Sequence, residues 1–242
     1  MRYKRGDPLV SDNRWFNSAS FLTFYSLIGI AGTLLFGMNR YRIHHRHRLK
    51  GLERAVTVSN HTMFLDPVLM SAAVLPNRMY QTLLEETVCA PFVGTLTRLL
   101  GGMPVPHCDH GMTRLFDGAS AALSRRRFLH FYPEGECYLY NAQPNKFHCG
   151  AFVTAAVLGV PVVPMATVFQ KNGSKPFVHL YILEPMNPKD FGVVDSDGTV
   201  NLGQAKQFAE NVRQRICNEI SLRGGTGDYC KGHLERIRGI NA

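Results

Sequence analysis

Short runs of β-branched and aromatic residues alternate with helical stretches over most of the chain. The β-type runs occupy residues 55–60, 103–106, 127–133, 160–169 and 177–183. Helical stretches lie between and after them, at residues 67–75, 90–100, 111–126, 150–158 and 204–222. This alternation is typical of an α/β fold. We therefore predict a mostly parallel central sheet flanked by helices.

The helical stretch at 204–222 is amphipathic. Its apolar stripe consists of Phe208, Val212, Ile216 and Ile220. Such a stripe is most simply explained by packing against the core. On the same helix, four charged residues are expected to face away from the core: Lys206, Glu210, Arg213 and Arg215.

A second apolar pattern lies near the beginning of the chain. Residues 21–38 read FLTFYSLIGIAGTLLFGM, without a charge, and residues 39–50 then carry five cations and no anion. Eighteen residues is at the short end of what spans a bilayer, and the basic sequence that follows offers no signal-peptidase site. We expect a retained, membrane-associated helical segment at the cytoplasmic face, which either spans the membrane or lies in one leaflet. The alternative is a buried core helix of a soluble domain.

The net charge follows the same division of the chain. The 242 residues include 27 Lys and Arg against 18 Asp and Glu, for a net charge of +9. Most of this excess precedes residue 51, and residues 51–242 hold 18 basic and 16 acidic residues. A nucleic-acid-binding module needs a basic folded domain, so we expect no nucleic-acid partner. We predict a membrane-anchoring segment at 1–50 and a catalytic domain at 51–242.

The cysteines and histidines give no metal or disulfide pattern. The six cysteines are scattered without a CxxC pair, and the ten histidines show no ligand spacing. We therefore expect no metal site and reduced thiols in a cytoplasmic compartment.

Candidate chemistry follows the run at 55–60. The chain continues Asn60-His61-Thr62-Met63-Phe64-Leu65-Asp66-Pro67 and then enters an apolar helix. His61 thus lies at the carboxyl end of a strand, where open α/β sheets place their reactive groups. The intervening loop is long enough for the Asp66 carboxylate to accept a hydrogen bond from one imidazole nitrogen, which leaves the other as a base. Alone, the pair is equally compatible with a helix cap and an ordinary loop histidine.

Further motifs accompany this pair in a fixed order. They are Ala90-Pro91-Phe92-Val93-Gly94, then Phe131-Tyr132-Pro133-Glu134-Gly135, then Gly150-Ala151-Phe152, then Val160-Pro161-Val162-Val163-Pro164. Together with the His61 and Asp66 motif, they make residues 50–185 resemble the lysophospholipid acyltransferase family. Each motif is weak by itself, and their order and spacing make the resemblance specific.

The resemblance implies transfer of a fatty acyl group from an acyl thioester to a hydroxyl of a lysolipid. The donor would be acyl-CoA or acyl carrier protein, and no bound cofactor would be needed. By analogy, His61 is the general base, Asp66 orients it, and Glu134 and Gly135 bind the acceptor. Asn60, His107 and Lys146 are further candidates for substrate binding. The chain has no GxSxG nucleophile elbow, so direct transfer is favoured over an acyl-enzyme.

The chain departs from the family where cations would hold an acceptor phosphate. The corresponding positions are Glu85, His107 and Cys137. Because arginine is the usual partner of a phosphate monoester, we expect another acceptor headgroup, such as that of lyso-ornithine lipid or lysophosphatidylethanolamine. Two alternatives stay open: a transacylase that needs no thioester, and a non-catalytic lipid-binding relative.

Overall fold

A central β-sheet organises the chain. The computed structural model describes residues 3–37, 40–106 and 111–230, and within them seven strands form one sheet. The strands are β1 (Tyr41–His44), β2 (Ala55–Ser59), β3 (Met79–Leu84), β4 (Gly102–Val105), β5 (Phe128–Phe131), β6 (Val162–Gln170) and β7 (Phe177–Ile182).

Helices connect most of the strands. They are α1 (Arg14–Gly37), α2 (Asp66–Val74), α3 (Glu85–Cys89), α4 (Val93–Leu99), α5 (Gly111–Arg125), α6 (Gly150–Val157) and α7 (Leu202–Leu222). The helical stretches expected from the sequence correspond to α2, α4, α5, α6 and α7. The predicted stripe of α7 is buried, so this helix packs as its periodicity indicates.

The strand order is β1-β7-β6-β2-β5-β3-β4. All neighbouring strands are parallel except the antiparallel pair β6 and β7. The predicted α/β fold with a mostly parallel sheet is therefore confirmed. From β2 the chain continues to β3 on one side, and from β5 it returns to β6 on the other. The loops after β2 and β5 thus leave neighbouring strands in opposite directions, which opens a crevice at the carboxyl ends of these strands.

Two hydrophobic clusters cover the two faces of the sheet. Val56 and Leu129 belong to one cluster, and their chain neighbours Ala55 and Phe128 belong to the other. Successive side chains of a strand point to opposite faces, so central strands buried on both sides read as continuous apolar runs. This is why the runs at 55–60 and 127–133 were recognisable from sequence alone.

Two strands lack such a run and were missed by the sequence analysis. The first, β3, contains Gln81 and Thr82, which interrupt its apolar character. The second, β1, lies inside the basic segment and pairs in parallel with β7 at the edge of the sheet. The predicted division at residue 50 stays a prediction, although the sheet already begins before it.

The first residues of the chain contribute to the core. Tyr3, Leu9 and Val10 are buried in the cluster that also contains Val56. The hydroxyl of Tyr3 donates to the buried carboxylate of Glu85, over 2.9 Å. The segment that precedes α1 is therefore packed as part of the fold.

Helix α1 is covered by protein on one side only. It packs against α2, α4 and β1, with Ser20, Phe24 and Ile28 buried. Its outward face is also apolar: Leu22, Ile30 and Leu34 are each more than 60% exposed. Among the described helices, none combines the length and the apolar character needed to cross a bilayer. The membrane association of this segment stays a prediction.

The motif at residues 90–94 forms the tight connection between α3 and α4. A Cβ added to Gly94 would overlap the backbone carbonyl of Val88. The two helices can therefore approach this closely only if a glycine is present, which explains the last position of the motif.

We expect Gly94→Ala to lower the free energy of unfolding by about 2–3 kcal/mol, because the backbone of α3 must move to admit the methyl group. Gly29→Ala is the matched control, since no atom lies within 4 Å of the added Cβ in α1. That change should be neutral or should stabilise the helix by up to about 1 kcal/mol. Urea denaturation of both variants measures the difference, and equal stabilities would contradict the packing argument.

Candidate active site

His61 and Asp66 meet at the carboxyl end of β2. The Nδ1 atom of His61 lies 2.9 Å from Oδ2 of Asp66, so the hydrogen bond expected from their spacing is present. The Asp66 carboxylate is completely buried, whereas the His61 side chain is 23% exposed. The imidazole is therefore the partly exposed member of the pair, and the carboxylate is the buried one.

The Asp66 carboxylate also fixes the loop that connects the two residues. Its Oδ2 accepts hydrogen bonds from the backbone N–H groups of Thr62, at 2.6 Å, and of Met63, at 2.8 Å. Asp66 is the first residue of α2, and its side chain turns back over the loop instead of capping the helix. Since Nδ1–H of His61 donates to this anion, Nε2 is the nitrogen left for chemistry. None of the described residues hydrogen-bonds to Nε2.

Glu134 joins the loop after β5 to the loop after β2. Its Oε1 accepts from the backbone N–H of His61, at 2.9 Å, and its Oε2 accepts from that of Asn145, at 2.8 Å. Burial raises the pKa of Glu134, and these two hydrogen bonds oppose the rise. The carboxylate therefore serves as a clamp that sets the backbone position of His61.

Tyr132 packs against one face of the His61 imidazole. Its ring is stacked on His61 with a centroid distance of 4.0 Å, and its hydroxyl donates to Oε1 of Gln81 on β3, at 3.2 Å. Burial raises the pKa of Tyr132, with the charge of Asp66 adding to the effect, so the hydroxyl remains a donor. Tyr132 lies inside the motif at 131–135, and its role was not recognised from sequence.

His130 is a second histidine close to the site, and it is fully buried. Its Nδ1 lies 2.8 Å from Oγ1 of Thr57, and its Nε2 lies 3.2 Å from Oγ of Ser59. Burial lowers the pKa of His130 to about 3, with a smaller contribution from His61. The ring is therefore neutral and holds β5 to β2 next to the site.

The predicted substrate-binding residues differ in how they are placed. Asn60 is buried, and its side-chain amide exchanges two hydrogen bonds with the backbone of Thr167 on β6. Gly135 has φ +73°, a conformation that favours glycine and turns the chain after Glu134. Lys146 is exposed and follows Asn145, the second partner of Glu134. His107 lies outside the described residues. The binding roles of all four stay predictions.

Arg213 makes contacts that the sequence did not predict. It lies off the buried stripe of α7, as its position in the helical period indicates, and its side chain is 21% exposed. Its guanidinium forms two hydrogen bonds with Glu210 and donates to the carbonyl of Pro144, at 3.1 Å. It thereby fixes the loop that also presents Asn145 to Glu134. The helical period alone could not show that a loop covers this face of α7.

Two of the positions without the expected cation are buried. Glu85 accepts from Tyr3 and also interacts with Arg5, at 3.9 Å. Burial raises the pKa of Cys137 to about 12, and the nearby carboxylates of Asp66 and Glu134 contribute. The Cys137 thiol is therefore neutral. Within the described parts of the chain, no group of three or more His, Cys, Asp or Glu side chains is arranged to hold a metal ion.

A family comparison covers the region that holds these residues. The family described as Acyltransferase matches residues 40–168, which is more than half of the chain. The chain belongs to the acyltransferase family. The match includes His61, Asp66 and Glu134 and ends before α7, so Arg213 lies outside the segment that defines the family.

A solved acyltransferase structure has the same fold. It is the crystal structure of PlsC, the 1-acyl-sn-glycerophosphate (LPA) acyltransferase from Thermotoga maritima. The TM-score is 0.59 and the sequence identity is 19%, over 88% of this chain and 85% of PlsC. At this identity the similarity concerns the fold alone. None of the curated proteins compared with the chain matches it.

We expect His130 to make the acyltransferase acid-sensitive. Between about pH 6.5 and about pH 3, the unfolded chain binds a proton at this histidine that the folded protein does not bind. The free energy of unfolding should therefore decrease as the pH is lowered through this window. The contribution of this histidine is at most about 1.4 kcal/mol per pH unit. In His130→Gln this component should be absent. Chemical denaturation at several pH values measures the difference in slope between variant and wild type.

His148→Gln, which removes an exposed histidine, is the control for that experiment. An unchanged slope in His130→Gln would show that the buried ring is not the source of the acid sensitivity.

Proposed function

We propose that this protein is a membrane-associated acyltransferase that transfers a fatty acyl group from acyl-CoA or acyl carrier protein to a hydroxyl of a lysolipid. The observation that carries the proposal is the hydrogen bond of 2.9 Å between Nδ1 of the partly exposed His61 and the buried Asp66. This hydrogen bond supports the proposal that His61 acts as a base with a fixed tautomer. The family match supports acyl transfer as the reaction class.

In the proposed mechanism, Nε2 of His61 removes the proton from the acceptor hydroxyl as its oxygen attacks the thioester carbonyl. The new C–O bond forms, the C–S bond breaks, and the proton passes from His61 to the departing thiolate. Asp66 stabilises the imidazolium that exists between these two proton transfers. Because Asp66 also accepts two backbone hydrogen bonds, its carboxylate keeps its position while the charge on the ring changes. Glu134 and Tyr132 act as positioning residues for the ring.

The surroundings of the site favour an amphiphilic substrate. Phe64 and Leu65, in the loop between His61 and Asp66, are 74% and 40% exposed. Exposed apolar side chains beside a reactive histidine are suited to acyl chains more than to a polar metabolite.

We further propose that α1 attaches the enzyme to one leaflet at the cytoplasmic face. A core helix of a soluble domain normally presents a polar outer face, whereas the outer face of α1 is apolar. The basic residues that follow α1 would contact anionic headgroups, with about 1 kcal/mol for each cation near the surface. The alternative of a buried core helix does not account for the exposed leucines and isoleucine of α1.

The acceptor headgroup is proposed to differ from a phosphate monoester. Glu85 and Cys137 carry no positive charge, and the guanidinium of Arg213 is already engaged by Glu210 and Pro144. A zwitterionic, amino-acid-bearing or glycosylated headgroup would not need a bidentate arginine.

His61→Ala should lower kcat by about 10²–10⁴-fold, because the acceptor hydroxyl then lacks its base. Release of the thiol from an acyl thioester, in the presence of lysolipids in detergent micelles, measures the rate. The exposed His47 supplies the control, and His47→Ala should retain wild-type activity. Equal rates for wild type and His61→Ala would overturn the catalytic proposal. Transfer without any thioester would instead favour a phospholipid transacylase.

A panel of lysolipids tests the acceptor proposal. At equal donor concentration, kcat/KM should be higher for lysophosphatidylethanolamine or lyso-ornithine lipid than for lysophosphatidic acid, because the site lacks the expected arginines. We expect the two kcat/KM values to differ by about tenfold, because one charge-assisted hydrogen bond contributes a free energy of about that size. A clear preference for lysophosphatidic acid would reject this part of the proposal.

A further inference from the structure

Two arginines meet at the first half of α1. Arg78 follows α2, and Arg126 lies between α5 and β5. Both guanidinium groups donate to the same hydroxyl, Oγ of Ser20 on α1, over 2.7 Å from Nη2 of Arg78 and 3.0 Å from Nη2 of Arg126. The Ser20 hydroxyl in turn donates its own proton to the carbonyl of Leu99, at 2.6 Å. Two positive charges thus converge on one neutral side chain. We call Arg78 and Arg126 the arginine pair.

No carboxylate neutralises the arginine pair in the part of the chain that the structure describes. Neither guanidinium takes part in any of its ion pairs. Burial lowers the pKa of both arginines, to about 10 for Arg126, and the charge of Arg78 contributes to the shift of Arg126. The other titratable groups that act on the pair are Tyr25 and Tyr80, which are neutral near pH 7. Both arginines therefore stay charged and repel each other.

Backbone and ring groups stabilise this charge only in part. Nη1 of Arg126 donates to the carbonyl of Met79, at 2.7 Å, and its guanidinium lies 4.0 Å from the centre of the Tyr80 ring. Helices α4 and α5 end next to the pair, and the C-terminus of a helix carries about half a negative charge. Two such ends offset about half of the charge of two guanidinium groups. Positive charge is therefore left for an anion from outside the chain.

Arg78 is the member of the pair that can reach such an anion. Its side chain is partly exposed, whereas Arg126 is buried. A guanidinium has five N–H donors, and among the described residues Ser20 alone accepts a hydrogen bond from Arg78. The Nε atom is buried and has no partner there. Phosphate oxygens match the planar arrangement of these unused donors.

Arg78 is also in direct contact with the apolar helix α1. Its guanidinium lies 5.5 Å from the ring centre of Phe21 and 5.2 Å from that of Phe24. Phe24 is buried, whereas Phe21 is 51% exposed and the adjacent Leu22 is 67% exposed. The hydroxyl of Tyr25, one residue after Phe24, donates to the carbonyl of Pro76, at 2.6 Å. The loop that carries Arg78 is therefore fixed to the helix whose outward face is apolar.

We propose that Arg78, with Arg126 behind it, binds the phosphate of an anionic lipid headgroup at the membrane surface. Exposed aromatic and aliphatic side chains beside an arginine are typical of segments that lie in the interface. Phe21 and Leu22 would enter the acyl region while the guanidinium stays at the level of the phosphate. A soluble anion would gain nothing from these apolar side chains. This inference rests on the attachment of α1 to one leaflet proposed above, and adds to it a defined phosphate site.

Vesicle binding near neutral pH tests the site. Arg78→Gln should bind vesicles containing phosphatidylglycerol about tenfold more weakly than wild type, because one charge-assisted contact to a lipid phosphate is lost. Its binding to vesicles of phosphatidylcholine alone should change little, since choline neutralises that phosphate. Arg78→Lys keeps the charge without the planar donors, and should lose part of the preference for phosphatidylglycerol. Arg215→Gln, which removes an exposed cation of α7, should bind both kinds of vesicle as wild type does.

Ser20→Ala separates lipid binding from a purely structural role. It removes the hydroxyl that both arginines share and leaves both charges in place, so the preference for phosphatidylglycerol should persist. If the arginine pair only fixed α1 to the fold, Ser20→Ala and Arg78→Gln would weaken binding alike, which would overturn the proposal. Thioester turnover with micellar lysolipid shows that each variant is folded. If Arg78→Gln does not fold, Arg78→Lys decides the question, and an unchanged preference in it would overturn the proposal.

Inorganic phosphate is the probe for a soluble ligand. At the concentration of the lipid phosphate, it should not displace the protein from vesicles containing phosphatidylglycerol. Displacement by inorganic phosphate, abolished in Arg78→Gln, would overturn the lipid assignment.

The double variant Leu22→Gln, Ile30→Gln tests the attachment of α1 separately. Both side chains are exposed, and their loss should weaken binding to both kinds of vesicle by about tenfold or more. Wild-type binding in this variant would reject the attachment itself. If it loses binding while Arg78→Gln keeps the full preference for phosphatidylglycerol, the phosphate site fails and the attachment stands. Neither outcome affects the catalytic proposal, which depends on turnover in His61→Ala.

Discussion

The site depends on one buried anion. Asp66 has no solvent contact, and its Oδ2 accepts hydrogen bonds from the imidazole of His61 and from two backbone N–H groups. Burying a carboxylate is costly unless donors surround it, and these donors all come from the loop that precedes it. The loop must therefore fold back onto α2 for the charge to be tolerated. In this way, the cost of burial specifies the conformation that presents His61 to the crevice.

A second carboxylate connects this loop to the rest of the sheet. Glu134 receives the backbone N–H of His61 from one side and that of Asn145 from the other, and Arg213 of α7 supports the latter segment through Pro144. Residues from β2, β5 and α7 thus act on the position of a single ring. Tyr132 adds contact from below and reaches Gln81 on β3. The histidine is held by neighbours whose own places are set by the parallel strands.

The sequence predicted those parts of the molecule that are governed by local periodicity or by short motifs. Central strands such as β2 and β5 read as apolar runs because both of their faces are buried, and the spacing of His61 and Asp66 is local enough to suggest their contact. By contrast, β1 reads as a basic segment and β3 is interrupted by polar side chains, so neither resembles a buried strand. Arg213 and Tyr132 depend on contacts between distant segments, which no local pattern contains.

The packing of the first fifty residues has a practical consequence for work on this enzyme. Tyr3, Leu9 and Val10 fill part of the main core, Ser20 of α1 accepts from the buried guanidinium of Arg126, and β1 completes the sheet beside β7. A shortened protein beginning at residue 51 would open a cavity in the core and turn β7 into an unprotected edge, a surface prone to aggregation. Covering α1 with detergent or lipid is therefore expected to give a more stable, less aggregated sample than removing residues 1–50. The portion of the chain proposed to contact the membrane also belongs to the scaffold that keeps the enzyme folded.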